Sequence, residues 1–286
     1  MVTAVGVRLD AEPSRPSELA AWDTLRMVVR DSSGIIERDE LDGIAVVRLA
    51  RGPVNALDLD LLQAVTRAFR ELDGSDHTAV VFTGAGRAFC AGVDLWRIVD
   101  GGQSYVEEFL PALADAFEAV FAIGKPVVAA VNGHAIAGGC ILAACCDRRI
   151  MAAGTGRIGV SELPVGVPFP AAALEILRYA VGEQVQRELV LSGTTHEPPE
   201  ALRRGLVDEV VPADTLMDRA VEAARQLATT TPPDTYRLTK SQLHRDAVER
   251  IARYWPEERT EVARLWSARV ADGWIRGYMQ RITGRA

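Results

Sequence analysis

Two glycine-bearing stretches decide how this 286-residue chain folds: Phe89-Cys90-Ala91-Gly92-Val93-Asp94-Leu95 and Asn132-Gly133-His134-Ala135-Ile136-Ala137-Gly138-Gly139-Cys140. Each stretch includes or follows a short apolar run with the length and composition of a buried strand. Each also places glycine where a side chain would otherwise screen the backbone N–H groups. Two N–H groups that converge from separate loops can hold an oxygen that becomes negative during a reaction. The pattern therefore indicates an oxyanion hole rather than a nucleophile or a metal site.

Composition excludes several other classes of protein. The hydrophobic fraction of 48% and the charged fraction of 25% are ordinary for a globular chain. A net charge of −7 argues against a nucleic-acid surface. The uncharged run 126–146 is long enough to cross a bilayer, but glycine pairs interrupt it, which favours a strand, a turn and a helix over a membrane span.

The cysteines and the N-terminus bear on the compartment. Cys90, Cys140, Cys145 and Cys146 lie in or beside apolar runs without metal-ligand spacing, as is typical of buried thiols in a reducing environment. The N-terminus lacks the basic region and apolar core of a signal peptide. These features predict a cytoplasmic protein with no metal site.

Short buried strands alternate with helices along the chain, which predicts an α/β fold. Strands are expected at 35–37, 44–49, 79–82, 127–131 and 148–151. Helices are expected after the N-cap Asp58, at 104–121 and from Gly138. Residues 1–33 form an N-terminal extension with a short helix at 18–29, residues 34–211 form the core, and residues 212–286 are predicted to be helical.

Four motifs in register resemble one family, the crotonase superfamily, which has the enoyl-CoA hydratase/isomerase fold. They are Asn55-Ala56-Leu57, the stretch 86–95, the stretch 125–133 and Gly205-Leu206-Val207-Asp208. The resemblance covers residues 34–286. It implies a spiral of ββα units over 34–211, followed by a helical region, 212–286, that builds homotrimers, often paired into hexamers. It also implies an acyl-CoA thioester as the ligand, so that coenzyme A arrives with the substrate and no separate cofactor is expected.

The resemblance assigns roles to individual residues. It implies that the thioester oxygen lies between the N–H groups of Val93 and Gly138, and that Glu162 is the acid/base. Burial among apolar neighbours would raise the pKa of Glu162 toward working pH. Residues flanking the two N–H groups would bind the substrate and its coenzyme: Ala91, Gly92, Asp94, Leu95 and Gly139.

One position departs from the family pattern. Hydratases of this family resemble one another in having a second glutamate at the position that is Ile141 here. An isoleucine cannot orient water or deliver a proton, so hydration is not favoured. One carboxylate suffices to move a proton from C2 to C4 of an enolate, which is the Δ3–Δ2 enoyl-CoA isomerase reaction. A second acid could still come from one of the carboxylates in or after the first stretch: Asp94, Glu107, Glu108, Asp115 or Glu118.

The sequence leaves other functions open. The chain could be an enoyl-CoA hydratase or an acyl-CoA hydrolase that uses another acid, or an acyl-CoA-binding protein without catalysis. By resemblance, the helix at 104–121 would border the acyl pocket. Lys240, Trp274 and Tyr278 are candidates to reach the coenzyme of a neighbouring subunit.

Overall fold

The computed structural model describes residues 29–30 and 34–284, which form two β-sheets and the helices around them. In chain order the strands are β1 (Val29–Arg30), β2 (Ile36–Leu41), β3 (Ile44–Leu49), β4 (Ala79–Gly84), β5 (Ala88–Cys90), β6 (Val127–Val131), β7 (His134–Ile136), β8 (Arg148–Ala152), β9 (Ile158–Gly159), β10 (Thr195–His196) and β11 (Glu209–Val211). The helices are α1 (Leu59–Asp73), α2 (Leu95–Ala122), α3 (Gly138–Ala144), α4 (Glu162–Val165), α5 (Ala171–Val181), α6 (Glu183–Ser192), α7 (Pro198–Arg203), α8 (Leu216–Thr229), α9 (Pro233–Ala271) and α10 (Trp274–Thr283).

The larger sheet has the strand order β1-β2-β3-β4-β6-β8-β11 and the smaller sheet the order β10-β9-β7-β5. In the larger sheet β1, β2 and β3 are antiparallel, and the strands from β3 to β11 run parallel. All five residues of β6 are buried, as expected of a parallel strand covered on both faces. In the smaller sheet β5, β7 and β9 are parallel and β10 is antiparallel to β9.

Successive chain segments repeat one unit, a strand of the larger sheet, a strand of the smaller sheet and a helix. The units are β4-β5-α2, β6-β7-α3 and β8-β9-α4. Because each unit adds one strand to each sheet, the chain advances as a spiral. This arrangement confirms the predicted α/β class and the spiral of ββα units.

Two helices near the first glycine stretch show which helix starts the local sequence predicts correctly. The Asp58 side chain accepts a hydrogen bond from the Leu61 N–H at 2.9 Å, so α1 begins at the predicted N-cap. Helix α2 begins at Leu95, earlier than the predicted 104–121, and is broken at Gly102 (φ 64°, ψ −154°). The predicted helix is the part of α2 that follows the break, because the glycine pair interrupts the apolar stripe.

The C-terminal helices pack against the chain's own core. Helix α8 covers the outer face of the larger sheet. The 39-residue α9 packs against α2 and α5, and Trp266 of α9 is 2% exposed. A buried ion pair fastens α9 to the sheet, since the Lys240 Nζ lies 2.7 Å from Asp147 Oδ2. Trp266 therefore fills an intramolecular interface.

Part of the prediction concerns residues that the structure does not describe. The predicted extension 1–33 and its helix at 18–29 lie outside the described residues, apart from Val29 and Arg30, which form a strand. Among the helices of the described part, not one is both long enough and apolar enough to cross a membrane.

Candidate active site

Three of the predicted site residues follow the carboxyl ends of neighbouring strands in the smaller sheet. Val93 comes three residues after β5, Gly138 two residues after β7, and Glu162 three residues after β9. The order β9-β7-β5 places the segment that holds Gly138 between the other two. Parallel strands bring such ends to one edge of a sheet, where ligands of α/β proteins commonly bind. The repeated unit thus gathers residues that are distant in sequence.

The backbone N–H of Val93 is directed by an isolated bridge to Leu57. Leu57 donates its N–H to Gly92 O at 2.8 Å and accepts from the Asp94 N–H at 2.9 Å. In this pairing the N–H of the residue between them points away from Leu57. Within the described part of the chain the Val93 N–H has no acceptor. The backbone turns at Gly92, whose φ of +90° favours glycine. A Cβ at this position would also lie 2.7 Å from Ile136 O, so a larger residue would not fit.

Gly138 is the first residue of α3, so its N–H has no acceptor inside the helix. It has none elsewhere among residues 34–284 either. The chain reaches this position through Ala137, a non-glycine residue held at φ 51° and ψ −119°. Such a backbone conformation costs free energy and is found mainly at functional sites. Two backbone donors, those of Val93 and Gly138, therefore lie at the edge of one cavity.

Glu162 is the first residue of α4, and its carboxylate is held by backbone. Its Oε2 accepts a hydrogen bond from the Ser161 N–H at 2.8 Å. Burial raises the pKa of Glu162 to about 7, against the opposing effect of the N–H groups of Glu162 and Ser161. A carboxyl group with such a pKa can both accept and return a proton near neutral pH.

These residues line a cavity of about 620 Å³ that lies between the smaller sheet, α2, α5 and the C-terminal helices. Of the other predicted binding residues, Ala91, Asp94 and Leu95 line the same cavity. Gly92 and Gly139 are not among its lining residues. Gly139 is packed against the backbone of Cys90, whose oxygen would lie 2.1 Å from an added Cβ.

The carboxylate side chains and the apolar Ile141 decide which acid/base chemistry the cavity can support. Asp94 and Glu162 are its carboxylate-bearing lining residues among those described. The side chain of Asp94 accepts from the Arg97 N–H at 3.1 Å and caps α2. Ile141 is fully buried and lines the cavity with an apolar surface. Of the other candidate acids, Glu107 lines a different groove, between α2 and α9.

Several lining residues were not predicted to line this cavity, because they come from the far C-terminal end of the chain. They are Trp266 of α9 and Tyr278, Met279, Ile282 and Thr283 of α10. Tyr278 thus reaches the cavity of its own chain. Trp274 packs on Gly166, next to α4. Lys240, considered for contact with a neighbouring subunit, is 6% exposed and paired with Asp147, so that hypothesis is wrong for this residue.

Comparison with known proteins agrees with the geometry. The family model described as enoyl-CoA hydratase/isomerase matches residues 39–271. A probable enoyl-CoA hydratase of Mycobacterium tuberculosis is 34% identical over 195 residues, which cover 68% of this chain and 74% of that protein. The mitochondrial enoyl-CoA delta isomerase 1 of Rattus norvegicus is 29% identical over 220 residues, which cover 76% of each chain.

Solved structures similar to this chain include an isomerase and a hydratase. Human mitochondrial delta3-delta2-enoyl-CoA isomerase superposes with a TM-score of 0.78 at 25% identity, covering 88% of this chain and 97% of that one. An enoyl-CoA hydratase of Mycobacterium marinum superposes with a TM-score of 0.73 at 28% identity, covering 80% and 100%. The chain therefore belongs to the enoyl-CoA hydratase/isomerase family, the crotonase superfamily that its motifs resemble.

Proposed function

We propose that this enzyme is a Δ3–Δ2 enoyl-CoA isomerase that uses Glu162 as its single acid/base. The Glu162 carboxylate removes a proton from C2 of a 3-enoyl-CoA, and the electron pair forms a dienolate across C1 to C4. The same carboxyl group then returns the proton to C4. The double bond moves from C3–C4 to C2–C3, so that atoms and charge balance without any other reactant.

The observation that carries this proposal is the environment of Glu162. Its carboxyl group lies in a cavity whose neighbouring wall, at Ile141, is apolar. Its pKa of about 7 means that the carboxylate and the carboxylic acid are both populated near neutral pH. A proton shuttle needs both forms of one group, whereas hydration needs a second group to orient water.

Stabilisation of the dienolate is assigned to the backbone. Its oxygen would accept from the N–H groups of Val93 and Gly138, both of which lack other acceptors in the described structure. Removal of one such donor typically lowers kcat by about 10²–10³-fold. The coenzyme A portion enters as part of the substrate, and the proposed mechanism uses no metal ion or separate cofactor.

The test is isomerase assay of native protein and Glu162→Gln with 3-enoyl-CoA substrates. Glutamine keeps the size of the side chain but cannot accept the C2 proton, so activity should fall by about 10²–10⁴-fold. Glu183→Gln is the control, because Glu183 is exposed and starts α6, away from the cavity. Full activity in Glu162→Gln, or hydration of 2-enoyl-CoA without isomerisation by native protein, would contradict the proposal.

Hydration through Asp94 is the second candidate, because this carboxylate also lines the cavity. Asp94→Asn preserves the cap on α2, since asparagine is an equally good N-cap residue. If Asp94 supplies the second acid, native protein hydrates 2-enoyl-CoA and Asp94→Asn does not. If Glu162 acts alone, Asp94→Asn keeps its isomerase activity.

For the assembly we propose a homotrimer or a pair of trimers, on the strength of the family resemblance. Sedimentation equilibrium should then give three or six times the chain mass of 30.9 kDa.

A further inference from the structure

We propose that Trp266 is the inner end wall of the acyl subsite and sets the longest straight acyl chain that the cavity accepts. This inference rests on the proposed function in one respect, that the ligand is an acyl-CoA thioester. It adds the residue that selects among such thioesters.

The residues that line the cavity differ in exposure. Arg87 lines it and is exposed, and Arg51 lines it with a side chain that is 31% exposed. Trp266 also lines it but is only 2% exposed. The guanidinium of the exposed Arg87 suits the charged phosphates of a coenzyme, so the thioester enters from its side. The tail of the acyl group then points toward Trp266.

The indole of Trp266 is held in place on both sides. Its Nε1–H donates to Pro168 O at 3.0 Å, which ties α9 to the loop before α5. Its ring lies 6.3 Å from that of Phe109, centroid to centroid, at 40°. Phe109 is fully buried, so the indole packs against the protein core on that side. A side chain fixed in this way acts as a stop, because it cannot rotate aside without losing the hydrogen bond and the ring contact.

The walls between the charged entrance and Trp266 suit a hydrocarbon chain. Five apolar, buried residues line the cavity: Leu113 and Phe117 of α2, Val167 and Pro170 of the loop before α5, and Ala173 of α5. Each methylene that enters such a site should raise affinity about fourfold. Affinity should therefore climb with chain length and stop climbing at the length that reaches the indole.

The experiment is calorimetric titration of native protein and Trp266→Ala with straight saturated acyl-CoAs of increasing even chain length. For native protein the affinity should rise about fourfold per methylene and then level or fall at one length. In Trp266→Ala this break should move to a chain longer by about two carbons or more, because the indole no longer ends the cavity. A break at the same length in both proteins would overturn the proposal.

The chain offers a matched control on the same helix. Trp255 lines the groove between α2 and α9 instead, so Trp255→Ala loses an equal side chain without touching this cavity. In Trp255→Ala the affinity should stop rising at the same acyl-chain length as in native protein. A shift of that length equal to the shift in Trp266→Ala would overturn the assignment. Should Trp266→Ala fail to fold, Ala173→Leu narrows the cavity on the path to Trp266. It should shorten the longest accepted chain, and an unchanged limit would count against the proposal.

Failure of this inference can be told apart from failure of the proposed function. Native protein that binds no acyl-CoA of any length contradicts both. Native protein that binds and isomerises acyl-CoAs, with a length limit that Trp266→Ala and Ala173→Leu leave unchanged, contradicts only the role of Trp266.

Discussion

The environment of one side chain, Glu162, links the fold to a measurable pH dependence. Burial raises its pKa to about 7, and the form that removes the C2 proton is the ionised one. Below that pH the free enzyme holds the proton, so kcat/KM should fall about tenfold for each pH unit. Above it kcat/KM should be level. The check is a profile of kcat/KM against pH with a 3-enoyl-CoA. A profile that keeps its full value down to pH 5 would show that Glu162 is not the base.

Ile141 supports a second prediction at the scale of single residues. It is fully buried at the cavity wall, and a carboxylate at this position would give the site the acid that hydration needs. Ile141→Glu should therefore gain hydration of 2-enoyl-CoA, by about 10²-fold over native protein, measured as 3-hydroxyacyl-CoA. Ile141→Gln is the matched control, since glutamine has the same size as glutamate but cannot supply a proton. Equal hydration rates in both variants would show that the gain does not depend on the carboxylate.

Part of this site could be predicted from the sequence. The two glycine stretches indicated a pair of backbone donors, and the family resemblance assigned the donors to Val93 and Gly138 and the acid/base to Glu162. Trp266 and Met279 could not be predicted, because nothing in their neighbourhood distinguishes a cavity-lining residue from a core residue. They approach the cavity only after α9 and α10 fold back over α2 and α4.

At the scale of elements, α9 depends on a buried ion pair for its attachment. Lys240 Nζ contacts Asp147 Oδ2 at 2.7 Å and Lys125 O at 3.0 Å, and the same Asp147 oxygen accepts from the Val127 N–H at 2.7 Å. Lys240→Met would leave the carboxylate without its cation. The free energy of unfolding should therefore fall by about 3–5 kcal/mol, measured by urea denaturation at fixed protein concentration.

The control for this prediction lies on the same helix. Arg264 pairs with Glu261, but both side chains are 61% exposed. Arg264→Met should therefore change the free energy of unfolding by less than about 1 kcal/mol. A loss of the same size in both variants would mean that burial does not govern the strength of these pairs.

The elements themselves were predictable where apolar periodicity was uninterrupted. The strands 44–49 and 127–131 have the predicted bounds. The second is a continuous apolar run, as expected of a buried parallel strand. The first turns of α2 were missed because Gly101 and Gly102 end the stripe that precedes them. The pairing of strands into two sheets depends on contacts between distant segments, and the family resemblance predicted only the spiral of ββα units.

At the scale of the whole molecule, two buried groups make stability respond to pH in opposite directions. Glu162 has its pKa raised to about 7, so between about pH 4.5 and 7 the folded chain keeps a proton that the unfolded chain has lost. Raising the pH through that range lowers the free energy of unfolding. His244 is stacked on Phe121 at 3.7 Å, and burial, aided by the charge of Lys240, lowers its pKa to about 4. Between about pH 4 and 6.5 the unfolded chain holds the extra proton, so raising the pH increases the free energy of unfolding.

These opposing slopes cancel over the range they share, about pH 4.5 to 6.5, and single variants should separate them. Glu162→Gln removes the falling slope, so its stability relative to native protein should grow with pH by about 1.4 kcal/mol per unit until about pH 7. His244→Phe keeps the ring stack and removes the rising slope, so its relative stability should grow as the pH falls from about 6.5 to 4. The measurement is urea denaturation of each protein across this range. The double variant is the control, because with both slopes absent its free energy of unfolding should run parallel to that of native protein between about pH 4.5 and 6.5. A difference between Glu162→Gln and native protein that does not change with pH would show that the carboxyl group titrates alike in the folded and unfolded chains, and the buried proton shuttle would lose its physical basis.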